Sequence, residues 1–279
     1  MKEYLTIKEF SKLSGIEATT LRYWDEVKLF VPTKRDPETN YRYYSPHQVL
    51  AVNYITVLSK LNVLMRTIRE NEDTRCPERI DDLLEKQEKR LDKEMSRLRE
   101  AYSIVHTRRE LIKQGIRAES AKISLRDMEE MRFNAGSPCD FKEGESFYDC
   151  YMRFCHAAEN LRINLSFPIG AAYGSMREFG GSPCCPERFF SVDPTGNECK
   201  AKGLYVVGYA HGFYWQYGEL PQRMERFIEE NELECSGSVY VIYLWDEISV
   251  QDPSQYLSQV SVAVSRKKSN TLSDSQNPE

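Results

Sequence analysis

From Pro77 to about Gln114 the chain is an almost unbroken run of helix formers, and within it Leu84, Leu91, Leu98, Val105 and Ile112 recur every seven residues. Gln87, Met95, Ala101 and Tyr102 fill in beside them. At 1.5 Å per residue such a helix is ~50 Å or more in length, too long for a small domain of its own to cover. A lone solvated helix would leave five apolar seam residues in water, so the spacing predicts a partner helix from a second copy of the chain, parallel or antiparallel. The 279 residues are thereby divided into a domain before the helix and a domain after it, and Gly115 is expected to end it.

A content of 41% hydrophobic and 29% charged residues suits a soluble two-domain protein. There is no apolar run resembling a signal-peptide core, nor the ~18 uninterrupted apolar residues that a spanning helix needs, so a cytoplasmic protein without membrane contact is expected. Residues 1–70 hold eleven Lys or Arg against eight Asp or Glu, a net +3 in a chain of net −5, which leaves −8 for the rest. Any phosphate-binding surface therefore belongs to the N-terminus. Eight cysteines are too dilute for a disulfide framework and read as free thiols of a reducing compartment. Cys150, Cys155 and His156 look like a cluster, yet on a helix Cys155 is rotated about 140° from Cys150. The adjacent Cys184 and Cys185 lack a partner pair at zinc-finger spacing, and no metal site is expected.

The N-terminal segment reads as two short helices joined by a tight turn. Thr6 and Glu9 have the spacing of a capping box, Ile7, Phe10 and Leu13 form an inward stripe, and Ser14-Gly15 stop the first helix. A second runs to about Val27, with Leu21 and Val27 turned inward and Thr19, Thr20, Arg22 and Tyr23 outward; of the neighbours Tyr23 and Trp24, Trp24 is the one expected in the core. The charged turn "TKRDPETNYRYYS" suggests a short β-wing. Ser45, Pro46 and Gln48 then open a helix carrying Val49, Val52, Ile55 and Leu58, and a further short helix lies near residues 64–71.

After the long helix the chain turns to aromatic strands and amphipathic helices. One strand near "AKISLRDMEEMRFN" precedes a helix from Glu145 to about Ile163 with Phe147, Tyr151, Phe154, Ala158 and Leu161 on one face. Strands near "GAAYGSMREF" and "RFFSVD" follow, then a strand "LYVVGYAHG", a helix "ELPQRMERFIEENE" and strands "SVYVIYLWDEIS" and "YLSQVSVAVS". The order gives two β-α-β-β halves in an α+β chain. Expected domains are 1–75, 76–116 and 117–265, with 266–279 a disordered tail.

The stretch "LTIKEFSKLSGIEATTLRYWDEVKLFVPTKRDPETNYRYYS" resembles the winged helix-turn-helix of MerR-type transcription regulators, over residues 4–72, and the long helix fits that family's antiparallel dimerisation coiled coil. More weakly, "KGLYVVGYAHG" and "SVYVIYL" resemble the GyrI-like ligand-binding domain of its multidrug-responsive branch. The resemblance implies a homodimeric repressor-activator that bends and untwists promoter DNA with an overlong spacer so that RNA polymerase can engage it, in response to a hydrophobic, cationic drug-like ligand.

Arg22 would then pair with guanine or phosphate, Thr19 and Thr20 touch base edges or methyl groups and the Tyr23 hydroxyl donate to phosphate, while Lys34, Arg35, Tyr41, Arg42 and Tyr43 meet the adjacent backbone. For the ligand, the resemblance points to Tyr173, Tyr217 and Tyr256; the aromatic content of the C-terminal half adds Phe147, Tyr151, Trp215, Tyr243 and Trp245. The pocket acid that the resemblance implies falls on Val241, and Glu247, six residues or ~20 Å along the strand, is too far to replace it. No Ser/His/Asp, Cys/His or paired-carboxylate spacing argues for catalysis and no cofactor is expected, so the alternatives are a metal- or neutral-metabolite-sensing regulator of the same family, or a small-molecule hydrolase.

Overall fold

A computed structural model describes residues 2–70, 76–141 and 145–267. They fall in two compact units, divided along the chain between Arg97 and Leu98. Of the expected tail, the part beyond Lys267 lies outside the described residues, as does the expected domain boundary at residue 75. Among the described residues no helix is long and apolar enough to cross a membrane.

The first unit opens with strand β1 (Leu5–Thr6) and helix α1 (Ile7–Ser14), joined by the expected capping box: Glu9 N donates to Thr6 Oγ1 at 3.3 Å and Thr6 N to Glu9 Oε2 at 2.9 Å. Gly15 stops α1 at φ 74°, a left-handed conformation without penalty only for glycine. Helix α2 (Ala18–Glu26) follows, then the wing strands β2 (Lys34–Arg35) and β3 (Arg42–Tyr44), paired with β1 in the order β1-β3-β2. After a 3-10 turn capped by Ser45 come helices α3 (Val49–Lys60) and α4 (Met65–Glu70). The core gathers Ile7, Phe10, Leu21, Trp24, Phe30, Tyr44, Ile55 and Ile68, with the Phe10, Phe30 and Tyr44 rings stacked at centroid separations of 4.7–5.8 Å. Leu13, expected in the inward stripe, is instead exposed: six residues past Ile7 it has rotated off the buried face.

Helix α5 (Pro77–Arg117) is one continuous helix of 41 residues. Gly115 does not end it. A Cβ there would lie 2.4 Å from the Trp245 indole nitrogen, so the glycine serves close packing of helix against ring. Gln87, expected beside the seam, turns to its own unit and donates to the Leu61 carbonyl at 2.6 Å. Leu84, Leu91, Leu98 and Val105 are exposed, together with Met95 and Tyr102; Ile112 is half-buried in the second unit, its carbonyl accepting from Trp245.

The second unit is built on one eight-stranded antiparallel sheet. Its elements are β4 (Ser124–Met128), β5 (Met131–Ala135), α6 (Phe147–Ala158), β6 (Ile169–Tyr173), α7 (Met176–Gly181), β7 (Arg188–Ser191), β8 (Glu198–Lys200), β9 (Gly203–His211), α8 (Leu220–Glu230), β10 (Leu233–Trp245) and β11 (Leu257–Arg266). The order β4-β9-β11-β10-β6-β7-β5-β8 places β9-β11-β10 as the mirror of β5-β7-β6, so the two β-α-β-β halves meet at the β10–β6 pair, registered Val239 to Tyr173. The single strand expected over residues 121–134 is split at Glu129-Glu130, and its two pieces go to opposite ends of the sheet, β4 on β9 and β5 on β7 and β8. The strand expected through residue 179 stops at Tyr173, where Ser175 caps α7. Helix α6 ends at Ala158, and Leu161 beyond it is exposed.

Alternation along the strands covers both faces. Val206, Val239, Val241, Val260 and Val262 pack under α6, α7 and α8, whereas Val207, Tyr209, Ile242 and Leu257 pack with Leu111 of α5 on the other face. That second face is closed by a buried lysine: Lys200 Nζ donates to Ser261 Oγ at 3.0 Å and lies 4.3 Å from the Tyr205 ring centroid. Desolvation pushes its pKa down to about 8. Since the unfolded chain binds this proton up to about pH 10.4 and the folded chain releases it near 8, stability should rise with pH across that window. In thermal melts of the full chain, Lys200→Met is expected to flatten the rise between about pH 8 and 10 and to be more stable than wild type at pH 7. An unchanged pH slope would show that Lys200 is not neutral in the fold.

Candidate DNA-binding face and ligand cavity

On α2, Thr19, Arg22 and Tyr23 are exposed at helical spacing, Thr20 is half-buried beside them, and Trp24 is in the core. Lys34 on the wing is exposed, with its ammonium 5.8 Å from the Tyr4 ring centroid, and the Tyr41 and Tyr43 rings pack on each other at 5.5 Å. The two wing arginines are placed otherwise than expected. Arg35 Nη2 donates to both oxygens of Asp25, at 2.7 and 2.5 Å, and Arg42 Nε donates to Asp25 Oδ2 at 2.6 Å. Asp25 is buried, 1% exposed. Burial alone would raise its pKa, but the bonds from Arg42 and Arg35 prevail and hold it below the ordinary carboxylate range. Arg35 and Arg42 thus share a carboxylate of α2 as their ion-pair partner, which ties the wing to α2. Asp25 was missed because, beside Glu26, it reads as one more acid of a polar helix face.

In the second unit a cavity of about 330 Å³ lies over the β6–β10 junction, between α6 and the loop after β9. Phe147, Tyr148, Tyr151 and Met152 of α6 form one wall, Phe213, Tyr214, Trp215 and Tyr217 another, and Phe167, Ile169, Gly170, Phe189 and Tyr243 the floor. The rings are set tilted or edge-on: Phe147 to Trp215 at 3.9 Å, Tyr214 to Tyr243 at 4.6 Å and Tyr148 to Trp215 at 5.1 Å. Trp215 has φ 57°, strained for a residue with a Cβ, and its backbone N–H donates to the Tyr243 hydroxyl at 2.9 Å. That hydroxyl is 3.2 Å from Tyr217 Oη. Burial raises the pKa of both phenols, which stay neutral.

Of the expected ligand residues, the structure brings Phe147, Tyr151, Trp215, Tyr217 and Tyr243 to the lining and leaves three outside it. Tyr173 is fully buried behind the wall and donates to the Pro183 carbonyl at 2.6 Å. Tyr256 backs the lining as a second layer, its ring 5.5 Å from that of Tyr214. Trp245 turns away because of a bulge: Tyr243 pairs with Ser258 but Trp245 with Leu257, so one extra residue on β10 reverses the side-chain parity. Trp245 packs on α5 instead.

The acid is also elsewhere. Val241 is fully buried in the core, and Glu247, just past the end of β10, stands among the lining residues and accepts the Tyr214 hydroxyl. Its distance along the strand from Val241 was no obstacle, since the cavity lies at the strand end and not at Val241. Burial, and then the bond to Glu247, raises the Tyr214 phenol far above its ordinary value. Asp246 and Arg108 complete the charged lining, 3.1 Å apart. In the sequence the signals for the further lining residues are the run Phe213-Tyr214-Trp215 and the pair Asp246-Glu247. Among the described residues no group of three His, Cys, Asp or Glu is placed to hold a metal ion.

Residues 5–74 match the family described as MerR HTH family regulatory protein. The multidrug-efflux transporter 2 regulator of Bacillus subtilis is 26% identical over 255 residues, 90% of this chain and 92% of its own length. The multidrug-efflux transporter 1 regulator of the same organism is 35% identical over 79 residues, 28% of each chain. Among solved structures, the EcmrR–DNA complex superposes with a TM-score of 0.40 at 15% identity, covering 94% of this chain and 100% of that one. Residues 5–74, the helix-turn-helix with its wing, are thus a MerR-type DNA-binding domain, and over nearly its full length the chain is similar to a transcription regulator of a multidrug-efflux transporter.

Proposed function

We propose that the chain acts as a homodimer that grips promoter DNA with two recognition helices and responds to a hydrophobic, cationic, drug-like ligand held in the aromatic cavity. The observation that carries the reading is the cavity itself: aromatic side chains on two walls and the floor, with a carboxylate, Glu247, in the lining. Ring quadrupoles attract a delocalised cation, and a carboxylate within reach adds a counter-charge.

Helix α5 supports the dimer. The exposed stripe of Leu84, Leu91, Leu98 and Val105, joined by Met95 and Tyr102, has the spacing of a two-helix seam and would stay in water in a monomer. Ile112 is left out, since it belongs to the second unit's own packing. Two recognition helices at a separation fixed by that seam would bend and untwist a promoter whose spacer is too long, at an elastic cost of several kcal/mol, and let RNA polymerase engage it. Bound ligand biases the dimer toward the distorted complex. The relatives are transcription regulators, and the reading is of a sensor, not an enzyme.

Three outcomes are expected. Sedimentation velocity gives a dimer that Leu98→Asp converts to monomer; a wild-type monomer at micromolar concentration would remove the seam. In transcription with purified RNA polymerase, tetraphenylphosphonium raises output from a spacer-lengthened promoter only when the protein is present, and output that ignores the cation would remove the ligand step. In DNA binding, Arg22→Ala lowers affinity about tenfold with stability unchanged, whereas Asp25→Ala lowers both, costing about 2–4 kcal/mol in chemical denaturation by leaving two arginines unpaired. Equal and purely affinity-related losses would assign Arg35 and Arg42 back to phosphate contact.

A further inference from the structure

The cavity contains a cation of its own. Arg108 reaches the lining from α5, with Nη1 3.1 Å from Asp246 Oδ2 and Nε donating to the Ser166 carbonyl at 3.1 Å. Both partners of the ion pair are largely buried, their side chains 22% and 18% exposed. Asp246 is itself fixed, since its Oδ1 accepts from Ile248 N at 3.1 Å. Glu247, the next residue, accepts instead from the neutral hydroxyl of Tyr214. Arg108, Asp246 and Glu247 are the charged residues of the lining. With Arg108 balancing Asp246, one negative charge is left over.

Resting on the reading of this cavity as a ligand site, we infer that Arg108 is a specificity-determining residue that sets the ligand's charge at one, so that the cavity admits apolar monocations and turns away apolar dications. A monocation meets the ring faces and Glu247. A dication would need Asp246 as well, and Asp246 is already held by a guanidinium that the Ser166 carbonyl keeps in place. The second positive charge would therefore stand beside Arg108 without a counter-ion, and like-charge repulsion in a partly desolvated site rejects it. Without Arg108 both carboxylates are open, and the preference should pass to the dication.

The test is isothermal titration calorimetry of the full chain with tetraphenylphosphonium, the dication benzyl viologen and neutral triphenylphosphine oxide. Wild type is expected to favour the monocation over the dication by about tenfold or more, and Arg108→Gln to raise dication affinity about tenfold and reverse that order. Arg108→Lys keeps the wild-type order. Glu247→Gln, at an exposed carboxylate, lowers monocation affinity about fivefold and leaves the neutral probe unchanged. Should Arg108→Gln fail to fold, Asp246→Asn tests the same point from the other side: it frees the positive charge of Arg108 and should weaken the monocation but not the neutral probe. A ratio of dication to monocation affinity that is the same in Arg108→Gln and wild type overturns the inference. Equal binding of neutral and monocationic probes overturns it while keeping the apolar site, whereas no binding of any probe overturns the ligand reading and this inference together.

Discussion

A helix buries one stripe of its surface against one neighbour, and α5, with 41 residues, is longer than any one neighbour in this chain can cover. Its surface is shared out accordingly. Near its start Leu83 and Gln87 pack on the first unit, the amide of Gln87 satisfying the Leu61 carbonyl. Near its end Leu111 enters the second unit's core, Gly115 admits the Trp245 ring, and Arg108 reaches the cavity. What remains between them is an apolar stripe exposed to water. The same helix therefore carries the stripe proposed for dimerisation and one wall residue of the cavity proposed for ligand.

The cavity owes its position to the pseudo-twofold arrangement of the sheet. Where β6 and β10 meet, each half contributes a strand, and the small side chain of Ala171 leaves room above it. The walls come from unrelated pieces, α6 in one half and the loop after β9 in the other. That loop adopts left-handed backbone at Trp215, held by the Tyr243 hydroxyl, so part of the box is set by a hydrogen bond from a strained residue. A similar economy operates in the first unit. Asp25 holds Arg35 and Arg42 at once, which joins the wing to the recognition helix through a single buried carboxylate.

Much of the fold was legible because local rules suffice for it. Capping boxes at Thr6 and Ser45, the left-handed Gly15, the heptad spacing of α5 and the order of strands and helices all act within a few residues of chain. Boundaries failed where a long-range contact overrode the local signal. Gly115 read as a helix stop because its packing against Trp245 is 130 residues away in sequence, a partner that periodicity cannot reveal. Residues 121–134 read as one strand because Glu129-Glu130 carries no strong turn signal, yet the two halves pair at opposite ends of the sheet.

The sequence by itself determined the helix-turn-helix with its wing, the long helix and its apolar stripe, and the doubled β-α-β-β order, since each rests on side-chain spacing and backbone preference along the chain. Which aromatic residues line a cavity and which fill a core was decided by the tertiary structure alone. A bulge between Tyr243 and Trp245 sends one ring to the cavity and the other to α5, and the same strand end sets Glu247 in the lining while Val241 is sealed in the core. Charge followed the same rule. Arg35, Arg42 and Arg108 look alike in sequence as exposed basic residues, and only the approach of the buried Asp25 and the half-buried Asp246 from distant positions makes them ion-pair partners, because an ion pair depends on distance in space and not on separation along the chain.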